Sequence, residues 1–142
     1  MSDIKLEGVK ELAEQLRTLP DKVRRKAMRQ ASRAAANAVA KKARAAITVG
    51  DQPHITYKGR LVSPGFAKRN IAVDVRVSKD LSFASARIGP KREAFYATAF
   101  LELGTSRTAA QPWLVPSFEQ AQSEIIQIYT SKLRQAIEQA TR

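Results

Sequence analysis

Few side chains of this 142-residue chain are equipped for covalent chemistry. It has no cysteine, which excludes thiolate nucleophiles, disulfides and cysteine-bound metal. Its one histidine, His54, lies in a stretch rich in glycine and proline, where a lone histidine is more often solvent-exposed than catalytic. The acids, among them Asp3, Glu7, Asp51, Asp74, Glu93 and Glu124, are scattered rather than clustered as a carboxylate-bound Mg²⁺ requires. No GxxxxGK[ST] loop, GxSxG elbow or GxGxxG turn occurs. The residues therefore predict no catalytic site, no metal and no cofactor, and a protein that acts by binding.

The chemistry on offer is ionic. Net charge is +12, and residues 20–50 alone contribute +8, with Asp21 their only acid. Residues 51–70 and 71–92 add +3 each, and the two ends carry −1 each. Such an excess favours a nucleic acid, an acidic protein surface or an anionic membrane. A helix from about 20 to 47 must carry the charge. At 100° per residue, Val23, Ala27, Met28, Ala31, Ala34, Ala35, Ala38 and Val39 share one side, interrupted by Arg24 and Lys42 only near its ends. Arg25, Lys26, Arg29, Arg33 and Arg44 fall on the other side and are the candidate contacts for an anionic partner. A solvated face is the plain alternative, but such faces usually mix signs to gain i,i+4 pairs. The stripe lacks interleaved aromatics, so it suits phosphate contact without base readout.

Two short strings stand out further on. Glu102-Leu-Gly-Thr-Ser-Arg107 reads either as a helix end capped by a left-handed Gly104 or as a contact site. Gln111-Pro-Trp-Leu-Val-Pro116 sets the only tryptophan between two prolines. Trp113 is there either a core plug or an exposed interface anchor.

Around these, the chain reads as one α+β domain over residues 1–142. Residues 3–7 alternate as a short strand, and Val9, Leu12, Leu16 and Leu19 have helical spacing. Residues 48–70 have no sustained period and read as a long loop, of the kind that is functional or flexible. Strands over 71–77 and 81–88 form a hairpin that Gly89-Pro90 ends. A helix over 93–103 carries Phe95, Tyr96, Phe100 and Leu103. A last helix starts near Pro116–Phe118, either with Ser117 and Gln120 as a capping box or with Pro116 as its first residue. The expected architecture is a long basic amphipathic N-terminal helix and a C-terminal helix packed on a small, mainly antiparallel sheet. The start of the chain lacks a signal-peptide core, and no apolar run is long enough to span a bilayer.

The ordered run Ile88-Gly-Pro-Lys, Ala94-Phe-Tyr-Ala97, Phe100-Leu-Glu-Leu-Gly-Thr-Ser106 and Ala110-Gln-Pro-Trp-Leu-Val-Pro-Ser-Phe-Glu119 resembles a family of tailed-bacteriophage proteins. This is the minor tail-component or neck (tail-completion) family typified by gene product ten of phage HK ninety-seven, to which the lambda tail-completion protein Z looks related. The opening helices extend the likeness over nearly the whole chain. Trp113 stands where the family usually has Phe, and the 48–65 loop is longer than the family's link. The resemblance implies a structural virion protein, made in the bacterial host cytoplasm and without enzymatic activity or membrane contact. It implies ring assembly around the DNA channel, with stopper, adaptor and tail-terminator rings as neighbours and nonspecific contact with channel DNA. Glu102, Gly104, Thr105, Pro112, Trp113, Pro116 and the 48–70 loop are then the candidate protein interface. The alternative is a sequence-nonspecific DNA-binding protein using the basic helix face.

Overall fold

Each helix starts where the backbone is turned into it. The computed structural model describes residues 8–47, 49–50, 52–107 and 109–141; the strand expected at 3–7 lies outside them. Gly8, at φ 79°, opens α1 (Val9–Arg17), a left-handed conformation that glycine adopts without a side-chain clash. The Pro20 carbonyl accepts the first helical bond of α2 (Asp21–Ala46), from the Arg24 N–H at 2.9 Å. There follow β1 (His54–Ile55), β2 (Leu61–Val62), α3 (Phe66–Arg69), β3 (Ile71–Val77), β4 (Ala84–Pro90), a 3₁₀ turn at Arg92–Ala94, α4 (Phe95–Leu103) and α5 (Val115–Ala140). The fold is α+β, with two small antiparallel two-stranded sheets, β1–β2 and β3–β4.

The chain packs as two compact units. The first comprises Met1–Ala38, Asp74–Arg87 and Gln122–Arg142. Its core joins Leu12, Leu16 and Leu19 with Ala27, Met28 and Ala31 of α2, Leu81, and Leu133 and Ile137 of α5. The alanines let α2 approach closely; the leucines supply most of the apolar area, at roughly 25 cal/mol per Å². The second comprises Val39–Val73 and Ile88–Ala121. There Ala40, Ala43 and Ile47 pack with Ile71 and Trp113, and Val62 and Phe66 pack with Ala94.

Three expectations need correcting. Residues 48–70 are not a structureless loop: β1 and β2 pair His54 with Val62 and Ile55 with Leu61, and α3 follows. Two-residue strands and one helical turn are too short to show a period. The second hairpin strand begins at Ala84 rather than Leu81 and runs on through Gly89-Pro90. Leu81 is diverted into the turn at φ 62°, with its side chain buried and its N–H bonded to the Ser78 carbonyl. Proline is compatible with β4 because each strand of a two-stranded sheet is an edge strand, where an N–H can be dispensed with on the unpaired side.

Candidate protein-interaction surface

The two strings singled out above meet in the second unit. The Glu102 carboxylate, near the end of α4, accepts three main-chain N–H bonds at the start of α5. Trp113 donates at 2.6 Å, Leu114 at 2.9 Å and Val115 at 3.1 Å. These N–H groups carry the positive end of the helix dipole, where an anion is favoured. Burial alone would raise the Glu102 carboxyl, but the three N–H bonds outweigh it and hold the group below its usual range. Glu102 is therefore the cap of α5. The expected Ser117–Gln120 capping box is replaced: α5 begins at Val115, and Ser117 lies inside its first turn, donating to the Trp113 carbonyl.

Trp113 is the plug of this arrangement, with 2% of its surface exposed. Its indole N–H donates to the Thr98 carbonyl at 2.9 Å. Thr98 is itself buried, and its hydroxyl donates back to Ala94 and Phe95 carbonyls. Of the two readings of Trp113, the interior one holds in this fold. Gly104 follows α4 at φ 75° and ψ 174°. That is not the expected left-handed cap but an extended positive-φ conformation open essentially to glycine alone. Its N–H still bonds the Phe100 carbonyl at 2.8 Å. Thr105 and Pro112 are exposed, and Pro116 is half-buried in the first turn of α5.

The inner face of α4 carries the buried Thr98 and the half-buried Leu101, which packs on the core beside Trp113, while its other large side chains point outward. Phe95, Tyr96, Phe100 and Leu103 are each more than half exposed. Tyr57, from the β1–β2 turn, joins them, its ring 5.6 Å edge-on from Tyr96. Tyr96 also meets Phe95 at 5.7 Å and Phe100 at 6.4 Å. The turn is tied down by Glu93, which accepts from Thr56 and Arg60, each at 2.7 Å. Lys58 lies 5.9 Å over the Tyr57 ring, and Lys91 and Arg92 are exposed nearby in sequence. Contiguous exposed aromatic side chains are of the kind enriched at interaction sites. Helical spacing could not reveal it, because an apolar side chain facing solvent and one facing a core obey the same period.

The basic stripe contracts. Arg25 donates to the Val77, Ser78 and Lys79 carbonyls at 3.1–3.3 Å, and Arg44 to the Ile71 carbonyl at 2.9 Å. Both were expected to face outward. Long arginine stems let them bend back to carbonyls that the sequence does not place. Lys26, Arg29 and Arg33 are exposed. His54 is exposed and packs edge-on against Phe66 at 6.1 Å. Among the described residues no group of three or more His or acidic side chains could hold a metal ion, and no helix is long and apolar enough to cross a membrane.

No curated protein and no solved structure matches the chain. A family model does, over residues 10–104, and its description reads "Bacteriophage HK97-gp10, putative tail-component". The match runs from α1 to the glycine that ends α4, and so covers the basic helix and the exposed aromatics but not Trp113 or α5. On that match, which spans about two thirds of its length, the chain belongs to the HK97-gp10 family of phage tail components.

Proposed function

We propose that this protein is a neck or tail-completion component of a long-tailed phage. It completes the head–tail connection by docking on neighbouring tail proteins and assembling with itself in a ring around the DNA channel. The observation that carries the reading is the aromatic patch of Tyr57, Phe95, Tyr96 and Phe100, set on a chain that belongs to a tail-component family. No catalytic step is part of the reading: the chain supplies shape, an apolar contact face and positive charge. The Glu102–Trp113 clamp serves that face from behind by fixing the end of α4 to the start of α5. Gly104, Thr105, Pro112 and Pro116 belong to the interface as the loop and helix start beside that clamp. The test is a phage lacking this gene, examined by negative-stain microscopy. Filled heads and separate tails are expected; normally joined, infectious particles would sink the proposal.

The second reading, sequence-nonspecific DNA contact, is favoured by one observation. Lys26, Arg29 and Arg33 stand exposed on α2 at helical spacing. With three such cations, log K for duplex DNA should fall with log salt at a slope of about −2.7, from −0.9 per phosphate contacted. A slope near zero, or no binding at low salt, rules the reading out.

A further inference from the structure

We propose that an apolar groove in the first unit receives the start of α5 from a second copy of this chain, with Phe118 entering the groove and Glu119 facing Arg24. The inference rests on the self-assembly part of the reading above and names the surfaces that would carry it.

The groove has a volume of about 400 Å³ and is walled by Leu12, Leu16, Met28, Leu81, Tyr129 and Leu133, among others. Two arginines, Arg17 and Arg24, also line it, and among the described residues no carboxylate does. The Arg24 guanidinium donates once, from Nη2 to the Leu81 carbonyl at 2.9 Å, and its Nε–H is buried without an acceptor. A guanidinium held in an apolar wall without a counter-charge is under-compensated. The complementary occupant is therefore an apolar side chain with a carboxylate beside it.

The chain carries such a pair on its own surface. Eleven large apolar side chains are exposed among the described residues. Of these, Leu103 adjoins Glu102, but that carboxylate is taken by the main chain of α5. Phe83 lies near Asp80, whose carboxylate is held by Ser82. Phe118 directly adjoins Glu119, which is exposed and makes no bond among the described residues. Val115, one turn earlier on α5, is also more than half exposed and widens the apolar face.

Groove and knob lie on different units of the chain. We take the contact as heterologous, as ring assembly requires: each copy presents both halves, and successive copies add head to tail, closing into a ring where the rotation permits. A reciprocal two-fold pairing would stop at a wild-type dimer and overturn this part of the proposal.

The test is sedimentation velocity of the full chain over a wide concentration range. Wild type should associate beyond a dimer. Phe118→Asp removes the knob and Ala13→Trp fills the groove from its α1 wall, so each alone should stay monomeric. Mixed, the intact groove of one and the intact knob of the other should give a 1:1 dimer that grows no further. Glu119→Lys should weaken association about tenfold. Ala13 is half-exposed and Phe118 and Glu119 are exposed, so wild-type circular dichroism is expected of all three variants. A wild-type chain that stays monomeric at every concentration, variants that associate like wild type, or a mixture that forms no dimer would each overturn the proposal. Mass spectrometry of purified particles separates this from the functional reading. Particles that contain a monomer-forming chain sink the groove contact alone, whereas particles that lack the chain sink the virion role.

Discussion

Glu102 and Trp113 stand eleven residues apart, on either side of one loop, and they stabilise each other through one short stretch of main chain. The carboxylate holds the Trp113, Leu114 and Val115 N–H groups, and so holds the indole over Thr98. Replacing a side-chain cap costs roughly 0.5–2 kcal/mol. Glu102→Gln should therefore be less stable by about that amount at neutral pH. The pH dependence has a definite sign. Glu102 is held below its ordinary value of 4.5, so its stabilisation is present above that pH and is lost as pH falls. Asp80 acts in the same direction: bonded first by the Ser82 hydroxyl, then by the Ser82 amide and Ser78, it is lowered to about 2. Wild type should lose stability between about pH 4.5 and 2, and the gap between wild type and Glu102→Gln should narrow over that range. Denaturant titrations followed by the fluorescence of Trp113, the only tryptophan, check this directly. An equal gap at pH 7 and pH 3 would contradict it.

At the scale of elements, α4 is the unusual piece. It buries Thr98 and turns only Leu101 among its large side chains toward the core, leaving Phe95, Tyr96, Phe100 and Leu103 more than half exposed. A helix that served only the fold would reverse that choice. Tyr96→Ser and Phe100→Ser should change unfolding free energy by about 1 kcal/mol or less, since only ring–ring contacts are lost. Both should nevertheless reduce the yield of joined particles when supplied to a phage lacking the gene. Full complementation by the double variant would show that the patch is not the contact face. The long helix α2 tells the opposite story. Its alanine face was readable from spacing, because a 26-residue helix shows many periods. Its charged face was only partly readable, because Arg25 and Arg44 bend back to carbonyls of the chain around β3, at Val77, Ser78, Lys79 and Ile71.

At the scale of the molecule, the boundaries between the two compact units fall inside α2, β3, β4 and α5. Neither unit is a continuous piece of chain, so neither is separable without cutting a regular element. One cooperative unfolding transition is expected, with far-ultraviolet dichroism and Trp113 fluorescence coincident. Two resolved transitions would show that the units fold independently. The sequence by itself determined the four longer helices, the β3–β4 hairpin, the uneven charge and the family, because these are written in local spacing and in an ordered string of residues; α3 and the β1–β2 pairing are too short to leave such a trace. Only the tertiary structure decided that Trp113 is interior, that Glu102 caps α5, and that the aromatics of α4 face outward. The reason is physical: periodicity marks which side chains share a face, but what covers that face is set by contacts between segments distant in the chain.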